Sequence, residues 1–98
     1  MIEIFDPAFD ALTRTMQIAA KKQEVISHNI ANAKTPGYEA LTFDEELMRA
    51  EKRQDRKQVI IEEEMTGLAK NSGKFSAAVK LLTSKINILK TIASQGRR

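Results

Sequence analysis

The chain has 98 residues, 42% of them apolar and 30% charged, with a net charge of +3 and no cysteine. That length holds one small domain with a modest core, and the lack of thiols excludes a disulfide framework and thiolate chemistry. The mild, mixed charge compels neither a nucleic-acid nor a membrane partner, and no apolar run reaches the length of a bilayer span.

Residues 1–5 carry apolar side chains at Ile2, Ile4 and Phe5 without a helical cap, and are expected to be mobile until something binds them. They lack the basic and apolar regions of a cleavable secretory signal. Asp6-Pro7 is a strong helix start, with a carboxylate to accept backbone N–H groups and a proline suited to the first helical position. From there Phe9, Leu12, Met16, Ala19, Gln23, Ile26, Ile30 and Ala33 follow alternating steps of three and four. This spacing predicts a helix over about 7–33 with one heptad seam.

The stretch Ser27–Tyr38 (SHNIANAKTPGY) then turns the chain. Thr35 precedes a proline, which disfavours helix. Pro36-Gly37 suits the centre of a type II turn. Asn29 and Asn32 lie three apart at the helix end, on one face. Tyr38, Leu41 and Phe43 anchor a connecting segment, and Thr42–Glu45 has capping-box spacing before a short helix or irregular stretch. Residues 49–58 hold Arg49, Lys52, Arg53, Arg56 and Lys57 against two acidic residues, with no aromatic to stack on bases.

A second helix is predicted over about 61–94. Glu62, Glu63 and Glu64 occupy its first turn, where the helix dipole favours them, though no side-chain N-cap precedes it. Its seam runs Ile61, Met65, Leu68, Ser72, Phe75, Val79, Leu82, Ile86, Leu89, Ala93. Gly67 and Gly73 each cost about 1 kcal/mol relative to alanine, and Gly96 is placed to cap the end. The fold class is therefore all-α. Two long helices pair as an antiparallel coiled-coil-like hairpin, with Phe9, Leu12, Met16, Ile26 and Ile30 against Leu68, Phe75, Val79, Leu82, Ile86 and Leu89.

A further stripe, Ala78, Leu81, Lys85, Ile88 and Ile92, is left over, because one seam per helix suffices for a hairpin. Residues 44–53 supply too few apolar side chains to cover it. Leu81, Ile88 and Ile92 are therefore expected to meet neighbouring subunits, since unpartnered apolar stripes mark interaction surfaces. Catalytic and metal chemistry find no support. His28 is the only histidine, the carboxylates fall in consecutive runs, and no phosphate loop or nucleophile motif is present. No enzyme activity, cofactor or metal is expected.

Ala11-Leu12, Asn29–Ala33 and Thr35–Ala40, followed by Phe43, resemble the N-terminal signature of bacterial flagellar rod, hook and axial proteins, and look most like the proximal rod members. Glu64-Met65, Leu68-Ala69, Asn71, Phe75, Leu81-Leu82, Lys85-Ile86 and Leu89-Lys90 are similar to that family's C-terminal part. The sequence departs from the family in a short middle segment and in a basic, asparagine-poor entry to the second helix.

The resemblance implies a structural subunit of the basal body rod, packed with copies of itself and other rod proteins into a hollow drive shaft across the periplasm. It implies contact with basal body adaptor proteins and passage through the flagellar type III export apparatus without a cleavable signal. It also implies a single axial domain with a reduced connector at 34–60 and ends (1–5, 95–98) that order on assembly. In this reading Asn29, Asn32, Thr35, Pro36, Gly37 and Tyr38 form a turn held at a subunit boundary. No nucleic acid or membrane insertion is expected. Two rival readings stand beside it: a small basic coiled-coil regulator gripping nucleic acid through residues 49–58, and a rod component of a non-flagellar type III system.

Overall fold

A computed structural model describes residues 7–96; the expectations for residues 1–5 and 97–98, and for Asp6 as a cap, lie outside the described residues. Helix α1 runs Pro7–Ala31, strands β1 and β2 cover Leu41–Asp44 and Arg49–Lys52, and helix α2 runs Ile61–Gln95. The helices pack antiparallel, with Ala19 level with Asn71 and Asn29 level with Glu64. The molecule is a rod of 66 × 24 × 16 Å. Among the described residues no helix is long and apolar enough to cross a membrane.

Both helices form where the three-four spacing placed them. α1 ends at Ala31, and α2 starts from an extended Ile60 with no side-chain cap. The acidic first turn of α2 is retained, and Gly96 closes the helix in the right-handed region (φ −67°) with its N–H donating to the Ile92 carbonyl.

The line of closest approach is not the most apolar one. The buried residues of α2 are Glu64, Asn71 and Ala78, seven apart, and those of α1 are Ala19, Val25 and Asn29. Small and polar side chains let the backbones approach, while Leu68, Val79 and Leu82 flank them half-buried.

The connector corrects one expectation. It is neither irregular nor a short helix but an antiparallel β-hairpin, pairing Leu41 with Lys52, Thr42 with Glu51, Phe43 with Ala50 and Asp44 with Arg49. Asp44, rather than Thr42, does the capping: its Oδ1 accepts from the N–H groups of Glu46 and Leu47 and closes a turn instead of opening a helix. The hairpin tip is tied to α1 by Lys22 on the Glu45 carboxylate at 3.0 Å and Arg14 on the Glu45 carbonyl. The hairpin thus packs on the second half of α1, where Val25 and Asn29 are buried.

Candidate functional site

The stretch that ends α1 folds as its residue types dictate. The Tyr38 N–H donates to the Thr35 carbonyl at 3.2 Å across Pro36-Gly37, and Gly37 has φ +77°, the type II turn geometry. Asn32 caps its own helix. Its Nδ2 donates to the His28 carbonyl at 2.9 Å, and its Oδ1 accepts from the Thr35 hydroxyl. The His28 carbonyl also accepts from the Asn32 N–H at 3.1 Å, so Asn32 closes the last turn with both its backbone and its side chain.

Asn29 does something different. It is fully buried. Its Oδ1 accepts from the Tyr38 hydroxyl at 2.6 Å and from the Leu41 N–H at 2.9 Å. Its Nδ2 donates to the Leu41 carbonyl at 2.8 Å and to the Glu64 carboxylate at 3.3 Å. One carboxamide therefore bonds both main-chain groups of Leu41, as the next strand of a sheet would.

Glu64 reaches this node from α2 and Arg53 from the far side of β2, at 2.9 Å from each other and also bonded through Arg53 to the Leu41 carbonyl. Glu64 is 5% exposed and Arg53 22%, so the pair is largely removed from water. The Tyr38 hydroxyl is pushed above its ordinary value by burial first and by the Glu64 charge second, with Arg53 opposing. The His28 ring packs edge-on against Tyr38 at 5.5 Å. Arg53 and Glu64 were missed at the sequence level as members of this site. Glu64 stands seven residues before Asn71, in the line that α2 turns toward α1, and that spacing was the available signal.

Every one of these partners belongs to the same chain. The turn residues Asn29, Asn32, Thr35, Pro36, Gly37 and Tyr38 therefore come together as a clamp joining α1, the hairpin and α2. Lower in the bundle Asn71 forms a second polar layer, with Nδ2 donating to the Ala19 carbonyl at 2.6 Å and to Gln23 Oε1 at 3.0 Å.

The residues assigned to helix packing fall into two groups. Phe9, Leu12, Met16, Ile26, Ile30, Leu68, Val79, Leu82 and Leu89 are half-buried, whereas Phe75 and Ile86 stand more open. Leu81, Ile88 and Ile92 project from α2 with 59, 60 and 48% of their surface exposed, a flank that the described residues do not cover.

The basic run is not a free strip. Arg49 pairs with Glu51, Lys52 with Glu39, Arg53 with Glu64 and Arg56 with Glu63. Four of its five cations thus face carboxylates, which weakens the run as a phosphate-binding strip.

The described residues thus form a helical hairpin clamped at its closed end, with Leu81, Ile88 and Ile92 exposed toward its open end. Residues 9–38 match the family described as flagella basal body rod protein. The FlgB basal body rod protein of Bacillus subtilis (strain 168) is 28% identical over 129 aligned positions, which cover 98% of this chain and 100% of the relative. FlgB of Aeromonas hydrophila is 40% identical over 52 residues, 51% of this chain and 39% of the relative.

The chain is similar to flagellar basal body rod proteins, over residues 9–38 in the family match and over nearly its whole length in the Bacillus subtilis relative. Among its relatives it is similar to FlgB. The 129 aligned positions exceed the 98 residues of this chain by 31, so at least that many face a gap here. Both ends are aligned, so the missing stretch is mainly internal.

Proposed function

We propose that the chain is a subunit of the proximal part of the rod, where it polymerises with itself and with other rod proteins into the wall of the hollow drive shaft. The carrying observation is the Leu81, Ile88 and Ile92 flank, an apolar surface of one helix that the described residues leave uncovered. The shaft crosses the periplasm, so the chain is exported by the flagellar type III apparatus and meets basal body adaptor proteins at the base of the rod. All 98 residues act as one axial unit, in which the compact hairpin at 41–52 takes the place of a longer middle segment.

The test is composition and motility. Purified basal bodies of the native host should contain the chain, and Ile88→Asp should abolish both incorporation and swimming while the purified variant keeps its helical circular dichroism. Absence of the chain from basal bodies, or full motility with Ile88→Asp, would refute the reading.

A further inference from the structure

The net charge of +3 hides an uneven division. All 13 acidic residues lie within residues 1–64, and none follows. Beyond Glu64 come Lys70, Lys74, Lys80, Lys85 and Lys90 of α2, and then Arg97 and Arg98 in the sequence. Charge separated in this way along a chain marks an anionic surface as partner.

The lysines of α2 differ in setting from the cations of the connector. Four of the five cations at 49–58 face carboxylates of the same chain. Among the described residues Lys70, Lys74, Lys80 and Lys90 enter no ion pair.

The end of α2 adds an apolar side to this charge. Successive helical residues turn by about 100°, so Leu81, Leu82, Ile86, Ile88, Leu89 and Ile92 fill an arc of roughly 160°. Packing on one other helix takes up roughly 100° of arc. Moreover, α1 begins level with roughly residue 83. Past that level no other described element runs beside α2, and Ile86, Ile88 and Ile92 are exposed. Lys80, Asn87, Lys90 and Ser94 lie on the opposite side of the helix. Residues 80–94 are therefore apolar on one half and polar on the other, with cations and no anion.

Among the described residues no helix is long and apolar enough to cross a membrane. A helix of this kind instead lies in the headgroup plane, where apolar side chains enter the acyl boundary and lysines meet lipid phosphates. Lys85 interrupts the apolar arc, and its long stem carries the ammonium out to the headgroup level. A nucleic-acid duplex also offers phosphates, but nothing for the exposed isoleucines to enter.

We propose that the free chain adsorbs to anionic lipid bilayers along residues 80–94 of α2. Adsorption is a property of the free chain and does not depend on the rod-subunit reading.

The test is flotation of the purified full-length chain with vesicles of equal parts phosphatidylglycerol and phosphatidylcholine. The chain should float with these vesicles at low salt, not with phosphatidylcholine alone, and be released as salt screens the lysines. Lys80→Gln/Lys90→Gln, on the side away from α1, should lower the partition on the order of tenfold with unchanged helical circular dichroism. Ile88→Ser/Ile92→Ser should also lower it, and both side chains are exposed, so the helical signal should again be unchanged. No flotation with the anionic vesicles, equal flotation with phosphatidylcholine alone, or undiminished flotation of either double variant would each overturn the proposal. Capture of duplex DNA without vesicle binding, untouched by Ile88→Ser/Ile92→Ser, would overturn it in favour of a polyanion. Presence in basal bodies is scored separately, so the rod reading stands or falls whatever the vesicles show.

Discussion

At the scale of single residues, Asn29 has the largest reach. It completes bonds for Tyr38, Leu41 and Glu64 from a fully buried position. Each buried group that loses its partner costs about 1–3 kcal/mol, so Asn29→Ala should destabilise the chain by on the order of 3 kcal/mol in urea titration. The partnered phenol adds a pH signature. The Tyr38 pKa in the folded chain lies above the 10.0 of a free phenol, so the native state holds that proton more tightly than the unfolded one. The resulting stability is full below pH 10 and is lost as pH rises through the raised value. Wild-type stability should therefore fall on alkaline titration more steeply than that of Tyr38→Phe, and equal slopes would show that the hydroxyl contributes nothing. None of this was legible from spacing. The sequence places Asn29 and Asn32 as equivalent residues on one face, and only the hairpin's position decides that Asn32 caps its own helix while Asn29 serves a strand.

The elements divide by how local their causes are. α1 and α2 were readable because their patterns repeat over six or more turns, and periodicity accumulates over that length. The hairpin was not readable. Arg49, Ala50, Glu51 and Lys52 have little strand character, and a two-stranded ribbon is marginal alone. It stands because Asn29, Arg53 and Lys22 hold it from outside the strands. The seam of α2 was displaced for a related reason. Apolar spacing selects Leu68, Phe75, Val79 and Leu82, whereas the helices touch closest at Glu64, Asn71 and Ala78. The glycines of α2 permit a test at this scale. A methyl group on Gly67 would sit 3.7 Å from Ile26 Cδ1, an ordinary contact, and one on Gly73 would meet nothing within 4 Å. Gly67→Ala and Gly73→Ala should each stabilise the isolated chain by about 1 kcal/mol, raising the thermal midpoint in calorimetry. A lower midpoint for Gly73→Ala would mean that the helix is not continuous there in solution.

For the whole molecule the two helices differ in length, 25 residues against 35. With Ala19 level with Asn71, Pro7 lies level with roughly residue 83 at equal rise per residue. The last ten residues of α2 thus extend past the described start of α1, and Ile88 and Ile92 lie on that extension. In the monomer, hydrogen exchange should be fastest for the amides of residues 86–95 and slowest for Leu41 and the first three turns of α2. On self-association the protection should rise at 86–95. No rise there would place the contact elsewhere. This ordering follows from the fold and not from the apolar pattern, which runs without interruption to Ala93.

The clamp at the closed end also fixes how the molecule answers force. Asn29, Tyr38, Leu41, Arg53 and Glu64 are gathered where the chain reverses, far from both termini. Tension drawn through the two termini separates the helices layer by layer, an unzipping in which contacts break in series and each step is small. Load that slides one helix along the other strains many layers in parallel, which is shear. A hairpin built this way opens readily from its ends yet resists sliding of its helices.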